Sequence, residues 1–266
     1  MNRGVTRRPL LGLLIPAAVA VLFIALPLIG LIVHVDWGNL GSQLVSADVL
    51  TALRLSLECS IIAVAIALVI GVPLAYLLAR TSMPGRRIVR GLVTLPLVLP
   101  PVVGGIALQT AFGRSTPIGA LLEHFGIVLP FSTAGAAIAE AFVGFPFLVI
   151  TVEAGLRQRD DHFEEVAATL GAKPWRRFWR VTLPLASPSI AAGAALCWAR
   201  ALGEFGATIT FAGSYPGTTE TLPIAAYSSF EGSGQVGMAI TLSLLLLAIS
   251  ILVLVVLRDR WLGALR

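Results

Sequence analysis

The chain has 266 residues, of which 57% are hydrophobic and only 12% are charged, whereas about a quarter of the residues in an average soluble domain are charged. The 19 Lys and Arg residues outnumber the 14 Asp and Glu residues, which gives a net charge of +5. This composition excludes disordered, collagen-like and disulfide-stabilised chains and indicates an integral membrane protein. Cys59 and Cys197 lie within apolar runs, so neither a disulfide framework nor a metal-binding pair is indicated.

Six segments of the chain are long and apolar enough to cross a bilayer, for which about 20 residues of helix are needed. None of them shows the alternating pattern of a barrel strand, and only helices or closed barrels satisfy their backbone in lipid. We therefore predict an all-α membrane protein with six transmembrane helices. The predicted spans are at about residues 10–34, 53–79, 91–113, 133–156, 188–210 and 236–257.

The distribution of basic residues predicts the orientation, because Lys and Arg are concentrated in cytoplasmic loops. With the N-terminus in the cytoplasm, only Arg54, Arg114 and Arg200 of the 19 basic residues fall outside the cytoplasmic segments. Both terminal segments, residues 1–9 and 258–266, are therefore predicted to be cytoplasmic. Because membrane orientation accounts for the basic residues, no nucleic-acid partner is predicted.

No catalytic, metal or cofactor site is predicted in the chain. A nucleotide-binding loop needs Gly-Lys followed by Ser or Thr, and the only lysine, Lys173, follows Ala172. The segment Gly232–Gly237 matches Gly-x-Gly-x-x-Gly but lacks the strand–helix–strand context of a dinucleotide site. The three histidines are scattered and no Gly-x-Ser-x-Gly elbow is present. We therefore expect a non-enzymatic protein.

The loop between the fourth and fifth spans, residues 157–184, carries a short amphipathic helix pattern. Asp161 and Glu164 have the spacing of a capping box, and Gly171 followed by Pro174 predicts the end of the helix. The apolar residues at helical spacing are Phe163, Val166, Ala167 and Leu170. A helix this short is marginal unless its apolar side packs on something. The residues alone leave open whether it packs on its own bundle or on a partner protein.

This loop resembles the "EAA" loop of ABC-importer permeases, in which Glu-Ala-Ala precedes a glycine and a later Leu-Pro. Glu165-Val166-Ala167 precedes Gly171 and Leu183-Pro184 here, with Val166 in place of the first alanine. The resemblance implies the type I ABC-importer permease fold, a permease domain over residues 10–257, and a coupling helix that docks on an ATP-hydrolysing subunit. The residues implied in coupling are Glu164, Glu165, Val166, Ala167, Ala168, Leu170 and Gly171.

The same resemblance implies the partners and the location of the chain. ATP and Mg²⁺ are expected in cytoplasmic ATP-binding subunits, and no cofactor in this chain. A second copy of the chain and an extracytoplasmic oxyanion-binding protein are also implied. The protein is expected in the inner or plasma membrane, with transport by alternating access.

Arg200 and Glu204 lie four residues apart in the fifth span, and therefore on one side of it. Charged residues inside a span are costly and are functional candidates. They are predicted either to form an intrahelical pair or to border the translocation path, where Arg200 would favour an anion. Glu58 and Glu140 also lie in apolar segments.

The motif around Glu204 resembles that of molybdate-importer permeases and, less closely, that of sulfate-importer permeases. It consists of Leu202, Gly203, Glu204, Phe205, Gly206 and Ala207. The resemblance implies molybdate import, with a sulfate, thiosulfate or tungstate permease as the alternative. An ion-coupled secondary transporter acting alone is the alternative from a different class. Such carriers are often built from repeated halves, and we find no half-to-half repeat in the sequence.

Overall fold

The computed structural model describes residues 11–160, 162–232 and 235–264. Its helices, in chain order, are α1 (Leu11–Val33), α2 (Leu40–Leu44), α3 (Ala47–Arg80), α4 (Arg86–Val98), α5 (Pro101–Phe112), α6 (Pro117–His124), α7 (Thr133–Gln158), α8 (His162–Thr169), α9 (Pro174–Arg177), a π-helical segment (Phe178–Thr182), α10 (Leu183–Leu202), α11 (Gly206–Ala212), α12 (Leu222–Glu231) and α13 (Val236–Ala264).

Five of the described helices are long and apolar enough to cross a membrane, and a sixth apolar helix, α5, is shorter. The predicted first, second, fourth and sixth spans correspond to α1, α3, α7 and α13. The third and fifth predicted spans differ from the structure. The helix of the third span is interrupted near its middle, and the helix of the fifth span is interrupted near its end.

The third span is two helices rather than the single helix we predicted over 91–113. α4 ends at Val98 and α5 begins at Pro101, with Leu99 and Pro100 both in an extended conformation. Each of these two residues precedes a proline, which disfavours the helical conformation at the preceding residue. The pair Pro100-Pro101 therefore breaks the helix inside the apolar segment.

The fifth span begins earlier and is interrupted earlier than predicted. α9, the π-helical segment and α10 form one helix of 29 residues, Pro174–Leu202, rather than a helix starting at Pro188. The chain leaves helical geometry at Gly203–Phe205 and resumes as α11, so the predicted span over 188–210 contains a break.

The centre of the bundle is formed by α3, α7 and α10, which are packed closely through small residues. Ala63, Ala141 and Ala201 are buried in one cluster between these three helices. The half-helices α5 and α11 also pack against each other. A Cβ atom on Gly105 would lie 1.7 Å from Thr210 Oγ1, and one on Gly206 would lie 2.9 Å from Pro101 Cβ. The two helix breaks are therefore neighbours in space.

Candidate functional site

Helix α8 is a defined local structure within the loop. The Asp160 carboxylate accepts a hydrogen bond of 3.1 Å from the His162 N–H at the start of the helix. At its end, Gly171 has φ of +80°, and the N–H groups of Gly171 and Ala172 donate to the carbonyls of Ala168 and Ala167, both at 2.9 Å. This is the Schellman arrangement, so the predicted helix end at Gly171 is confirmed. The predicted cap, Asp161, lies outside the described residues.

An ion pair holds α8 against the membrane helices. The Glu164 carboxylate lies 3.6 Å from the Arg80 guanidinium at the end of α3, and these side chains are only 16% and 11% exposed. Arg80 also donates to the Arg159 carbonyl, at 3.3 Å, just after α7. One arginine therefore joins α8 to the ends of two membrane helices.

The apolar side chains of α8 are mostly exposed. Phe163 is 60% exposed, Val166 42% and Leu170 82%, while Glu165 and Ala168 are also exposed and Ala167 is half-buried. The bundle of this chain therefore leaves most of the apolar surface of α8 uncovered, although Phe163 borders a cavity that Leu156 and Leu185 also line. Of the two possibilities left open by the residues, this exposure favours packing on another protein.

A second cluster of charges lies near the same end of the bundle. The Glu153 carboxylate on α7 pairs with Arg90 on α4 at 2.6 Å and with Arg157 at 2.7 Å. Arg157 also donates to the Leu78 carbonyl on α3 at 3.2 Å. These contacts fix α3, α4 and α7 relative to one another. Sequence reasoning missed this cluster; the signal was a glutamate at the end of a span, four residues before an arginine.

The predicted pair of Arg200 and Glu204 is present at the helix break. A guanidinium nitrogen of Arg200 lies 2.6 Å from the Glu204 carboxylate, which is 1% exposed. The other carboxylate oxygen of Glu204 accepts the Ala207 N–H at 2.8 Å. Glu204 therefore binds Arg200 on one side and caps α11 on the other, and Arg200 itself is about one-third exposed.

The motif Leu202–Ala207 forms the break between α10 and α11. Gly206 allows close approach to Pro101 and Val102 of α5, and the Phe205 ring lies 4.8 Å from the Tyr227 ring on α12. Tyr227 donates a 2.5 Å hydrogen bond to Glu231, and this contact raises the pKa of the Tyr227 hydroxyl. The motif is thus a meeting point of four helices.

Glu140 on α7 is buried close to this break. Its side chain is 1% exposed, and its Oε2 has no hydrogen-bond partner among the described residues. Glu58, in contrast, is exposed and lies 3.9 Å from Arg54, one turn earlier on α3. The structure therefore places Glu140 inside the bundle and Glu58 at its surface.

The predicted residues thus form two separate regions. The α8 residues lie beside the start of the helix Pro174–Leu202, whereas Arg200 and Glu204 lie at its end. A straight helix of 29 residues is about 43 Å long. The two regions are therefore joined by one continuous helix and do not form one site.

A family model described as "Binding-protein-dependent transport system inner membrane component" matches residues 71–265. The chain belongs to this family. It is a multi-pass integral membrane protein and the permease subunit of an ABC importer. The resemblance based on the loop and on the Glu204 motif is therefore confirmed.

The relatives in this family cover most of the chain. The molybdenum transport system permease protein ModB of Mycobacterium tuberculosis is 45% identical over 88% of this chain and 89% of its own length. ModB of Escherichia coli is 41% identical over 80% and 92%. The sulfate transport system permease protein CysW of Synechococcus elongatus is 35% identical over 85% and 83%.

Solved structures of other importers share the fold. A bacterial ABC transporter that imports alginate matches with a TM-score of 0.74 and 18% identity, over 93% of each chain. The MetNI methionine transporter matches with a TM-score of 0.61 and 20% identity, over 81% of this chain and 94% of the other. The predicted all-α, type I ABC-importer permease fold is therefore confirmed.

Proposed function

We propose that the chain imports molybdate, using ATP that a separate subunit hydrolyses. Support for the substrate comes from the ModB relatives, which are 41–45% identical to this chain. Sulfate is the second candidate, because a sulfate permease is 35% identical over 85% of the chain. Both are tetrahedral oxyanions of charge −2, so one type of path serves either.

The observation that supports coupling to a separate ATP-binding subunit is the exposure of the apolar side chains of α8, a helix that the Glu164–Arg80 pair ties to α3. Phe163, Val166 and Leu170 form a surface for a groove on the ATP-binding subunit. Burying such side chains contributes roughly 1.5–3 kcal/mol each. Together with Glu165, Ala167 and Ala168 beside them, they form the proposed docking surface, and Gly171 fixes its end.

Movement of the docking surface is transmitted to the membrane helices through the Glu164–Arg80 pair and through the chain that follows α8. Glu164 is held by Arg80 at the end of α3, and α8 leads through Gly171 and Lys173 into the helix Pro174–Leu202. When ATP closes the partner subunits, α8 moves with them as a rigid body. The path then opens to the other side, which is alternating access.

The proposed translocation path passes the helix breaks. Arg200 is the charged group that favours an anion there, and Glu204 sets the position of its guanidinium. Glu204 and Gly206 also shape the break itself, through the Ala207 N–H and the contact with Pro101. We assign Arg200 to the path and Glu204 to its positioning.

The assembly that this function needs has three further components. They are a second copy of this chain, two cytoplasmic ATP-binding subunits that hold ATP and Mg²⁺, and an extracytoplasmic binding protein that delivers the oxyanion. Both termini are cytoplasmic in this arrangement, which follows the distribution of basic residues. The loop over residues 211–236, which contains α12 and no Lys or Arg, is the proposed contact for the binding protein.

The substrate test uses proteoliposomes that contain the chain and its ATP-binding subunit, with the binding protein outside. We expect ATP-dependent molybdate uptake that vanadate stops and that sulfate competes with only weakly. Stronger uptake of sulfate than of molybdate would assign the chain to sulfate import. Uptake without ATP, driven by an ion gradient, would contradict the function as a whole.

The docking test places single cysteines at Phe163, Val166 or Leu170 for crosslinking to the ATP-binding subunit. Both native cysteines are buried and do not compete for reagent. Ile88, in the predicted cytoplasmic loop before the third span, is 69% exposed and provides the control cysteine on the same side of the membrane. Crosslinks at the three α8 positions and none at Ile88 are expected. Equal crosslinking at all four positions would contradict the docking surface.

A further inference from the structure

The helix Pro174–Leu202 is longer than a bilayer crossing requires. Its α10 part has 20 residues, Leu183–Leu202, and is therefore about 30 Å long, which is enough to cross the hydrocarbon layer by itself. The preceding part, α9 and the π-helical segment, extends the helix by nine further residues toward the basic loop 157–184.

A ring contact holds this nine-residue extension against the bundle. The Phe178 ring of the π-helical segment packs on the Tyr76 ring of α3 with centroids 5.0 Å apart. Tyr76 lies one turn before Arg80, the last residue of α3. The segment is therefore held beside the end of a membrane helix and does not extend away from the bundle.

The outer surface of this segment carries two neighbouring pairs of side chains. Trp175 and Trp179 are 71% and 50% exposed, and their ring centroids are 5.5 Å apart. Arg176 and Arg180 have the same four-residue spacing, are exposed, and form no ion pair with any residue that the structure describes. One helix surface thus presents two aromatic rings beside two cations.

We propose that Trp175, Arg176, Trp179 and Arg180 bind the headgroup of an anionic phospholipid. The two guanidinium groups bind the phosphate, for which arginine has suitable bidentate geometry. The two indole rings lie at the boundary between headgroup and acyl chain, the region that tryptophan prefers. This site is separate from the docking surface on α8 and from the Arg200–Glu204 pair, and it goes beyond the proposed transport function.

A similar sequence elsewhere in the chain lacks these properties. Arg86-Arg87-Ile88-Val89-Arg90 has the same spacing of arginines but no aromatic residue. Its Arg90 is paired with Glu153 at 2.6 Å. The segment Trp175–Arg180 is distinguished by its aromatic pair and by two arginines that form no ion pair within the described part of the chain.

The test uses the full chain in phosphatidylcholine vesicles that contain the same fraction of either brominated phosphatidylglycerol or brominated phosphatidylcholine. Bromine quenches tryptophan fluorescence at short range, so the difference in quenching measures enrichment of the anionic lipid. The variant Trp175→Phe/Trp179→Phe gives the signal from the other three tryptophans. We expect stronger quenching of the wild type by the phosphatidylglycerol form, and a smaller difference at high salt.

The charge variants distinguish a specific lipid-binding site from a general attraction between a positively charged surface and anionic lipid. Arg176→Gln/Arg180→Gln is expected to lower the preference for phosphatidylglycerol about 25-fold, since each arginine near an anionic surface contributes roughly fivefold. Arg176→Lys/Arg180→Lys keeps both charges but loses the bidentate geometry, and is therefore expected to lose part of the preference. The matched control, Arg54→Gln/Arg114→Gln, removes two exposed arginines elsewhere and is expected to change nothing.

Three results would overturn the proposal. The first is equal quenching of the wild type by both lipids, and the second is an unchanged preference in Arg176→Gln/Arg180→Gln. If that variant fails to insert, Arg180→Gln alone serves, with an expected loss of about fivefold. The third is protection of Trp175 and Trp179 by the ATP-binding subunit without any lipid preference, which would assign this surface to a protein partner.

Discussion

Arg80, the last residue of α3, and Glu164, in the first turn of α8, form a nearly buried ion pair with 3.6 Å between Nε and Oε1. These residues are 84 positions apart, and α8 is otherwise held mainly by α9 and the π-helical segment. The pair therefore links α8 directly to α3, whereas the other link runs through the Phe178–Tyr76 ring contact of the π-helical segment.

Replacing Glu164 by alanine is expected to uncouple transport from ATP hydrolysis. Removal of one partner from a nearly buried pair costs up to about 3 kcal/mol, so α8 loses its attachment to α3. ATPase activity is expected to persist while uptake falls, as measured in the same proteoliposomes. Glu123→Ala on the exposed side of α6 is the control. The swapped double variant Arg80→Glu/Glu164→Arg is expected to regain part of the uptake, and uptake that stays normal in Glu164→Ala would exclude the role of the pair.

Replacing Gly171 by alanine is expected to weaken the end of α8. The φ of +80° is strained for any residue with a Cβ atom, at a cost of about 1–2 kcal/mol, although no atom lies within 4 Å of the new methyl group. Coupled uptake is expected to fall, and more so in Gly171→Pro, which also loses the N–H that donates to Ala168. Gly91→Ala has equally open space in α4 and is expected to be silent. Equal effects of Gly91→Ala and Gly171→Ala would contradict this explanation.

Arg200→Ala is expected to lower oxyanion uptake and also stability, because Glu204 is then buried without its cation. The double variant Arg200→Ala/Glu204→Gln removes the unpaired charge and is expected to restore thermal stability in detergent. Uptake is expected to remain low in the double variant, because no cation borders the path. Recovery of uptake together with stability would return Arg200 to a purely structural role. Arg114→Ala, at an exposed position, serves as the control for charge removal.

Gly105→Ala is expected to separate α5 from α11. The added methyl group would lie 1.7 Å from Thr210 Oγ1 and 2.7 Å from the Ala207 carbonyl oxygen, and overpacking of this kind costs about 1–3 kcal/mol. A lower melting temperature is expected. Because Thr210→Ala removes only the first clash, the double variant is expected to recover part of the loss. A melting temperature equal to that of the wild type would show that the two helices are not in contact.

Ser56→Ala is expected to destabilise the attachment of α12 to α3. Ser56 Oγ accepts the Leu222 N–H at 2.7 Å, and both residues are fully buried. Without this oxygen the buried N–H is unsatisfied, at a cost of about 1–3 kcal/mol. A shift in the unfolding temperature measures the effect. Ser250→Ala, whose hydroxyl bonds only within α13 at an exposed position, is the control, and an equal shift in the two variants would exclude the Ser56 bond as the cause.

The membrane class, the positions of four spans and the end of α8 could be predicted, because hydropathy and glycine chemistry are local properties. The break at Pro100-Pro101 could also have been predicted, because a residue that precedes a proline disfavours helix. The prediction of one continuous helix followed instead the uniformly apolar character of residues 91–113. The break at Gly203–Phe205 could not be predicted, because it contains only one glycine and depends on the tertiary contact of Gly206 with α5.

Contacts between distant residues could not be predicted. Nothing local connects Glu164 with Arg80, or Glu153 with Arg90, because each pair depends on which helices become neighbours. The pair Arg200 and Glu204 was predictable, since four-residue spacing places both on one side of a helix. Its second contact, from Glu204 to the Ala207 N–H, required the helix break to be known.

The continuity of the helix Pro174–Leu202 has a mechanical consequence for the assembled importer. A rod of about 43 Å that is tilted at one end by about 5° carries its other end sideways by about 4 Å. That displacement is larger than the 2.6 Å separating Arg200 from Glu204. A small rotation at the α8 end of the helix is therefore expected to displace the other end by more than the length of one ion contact.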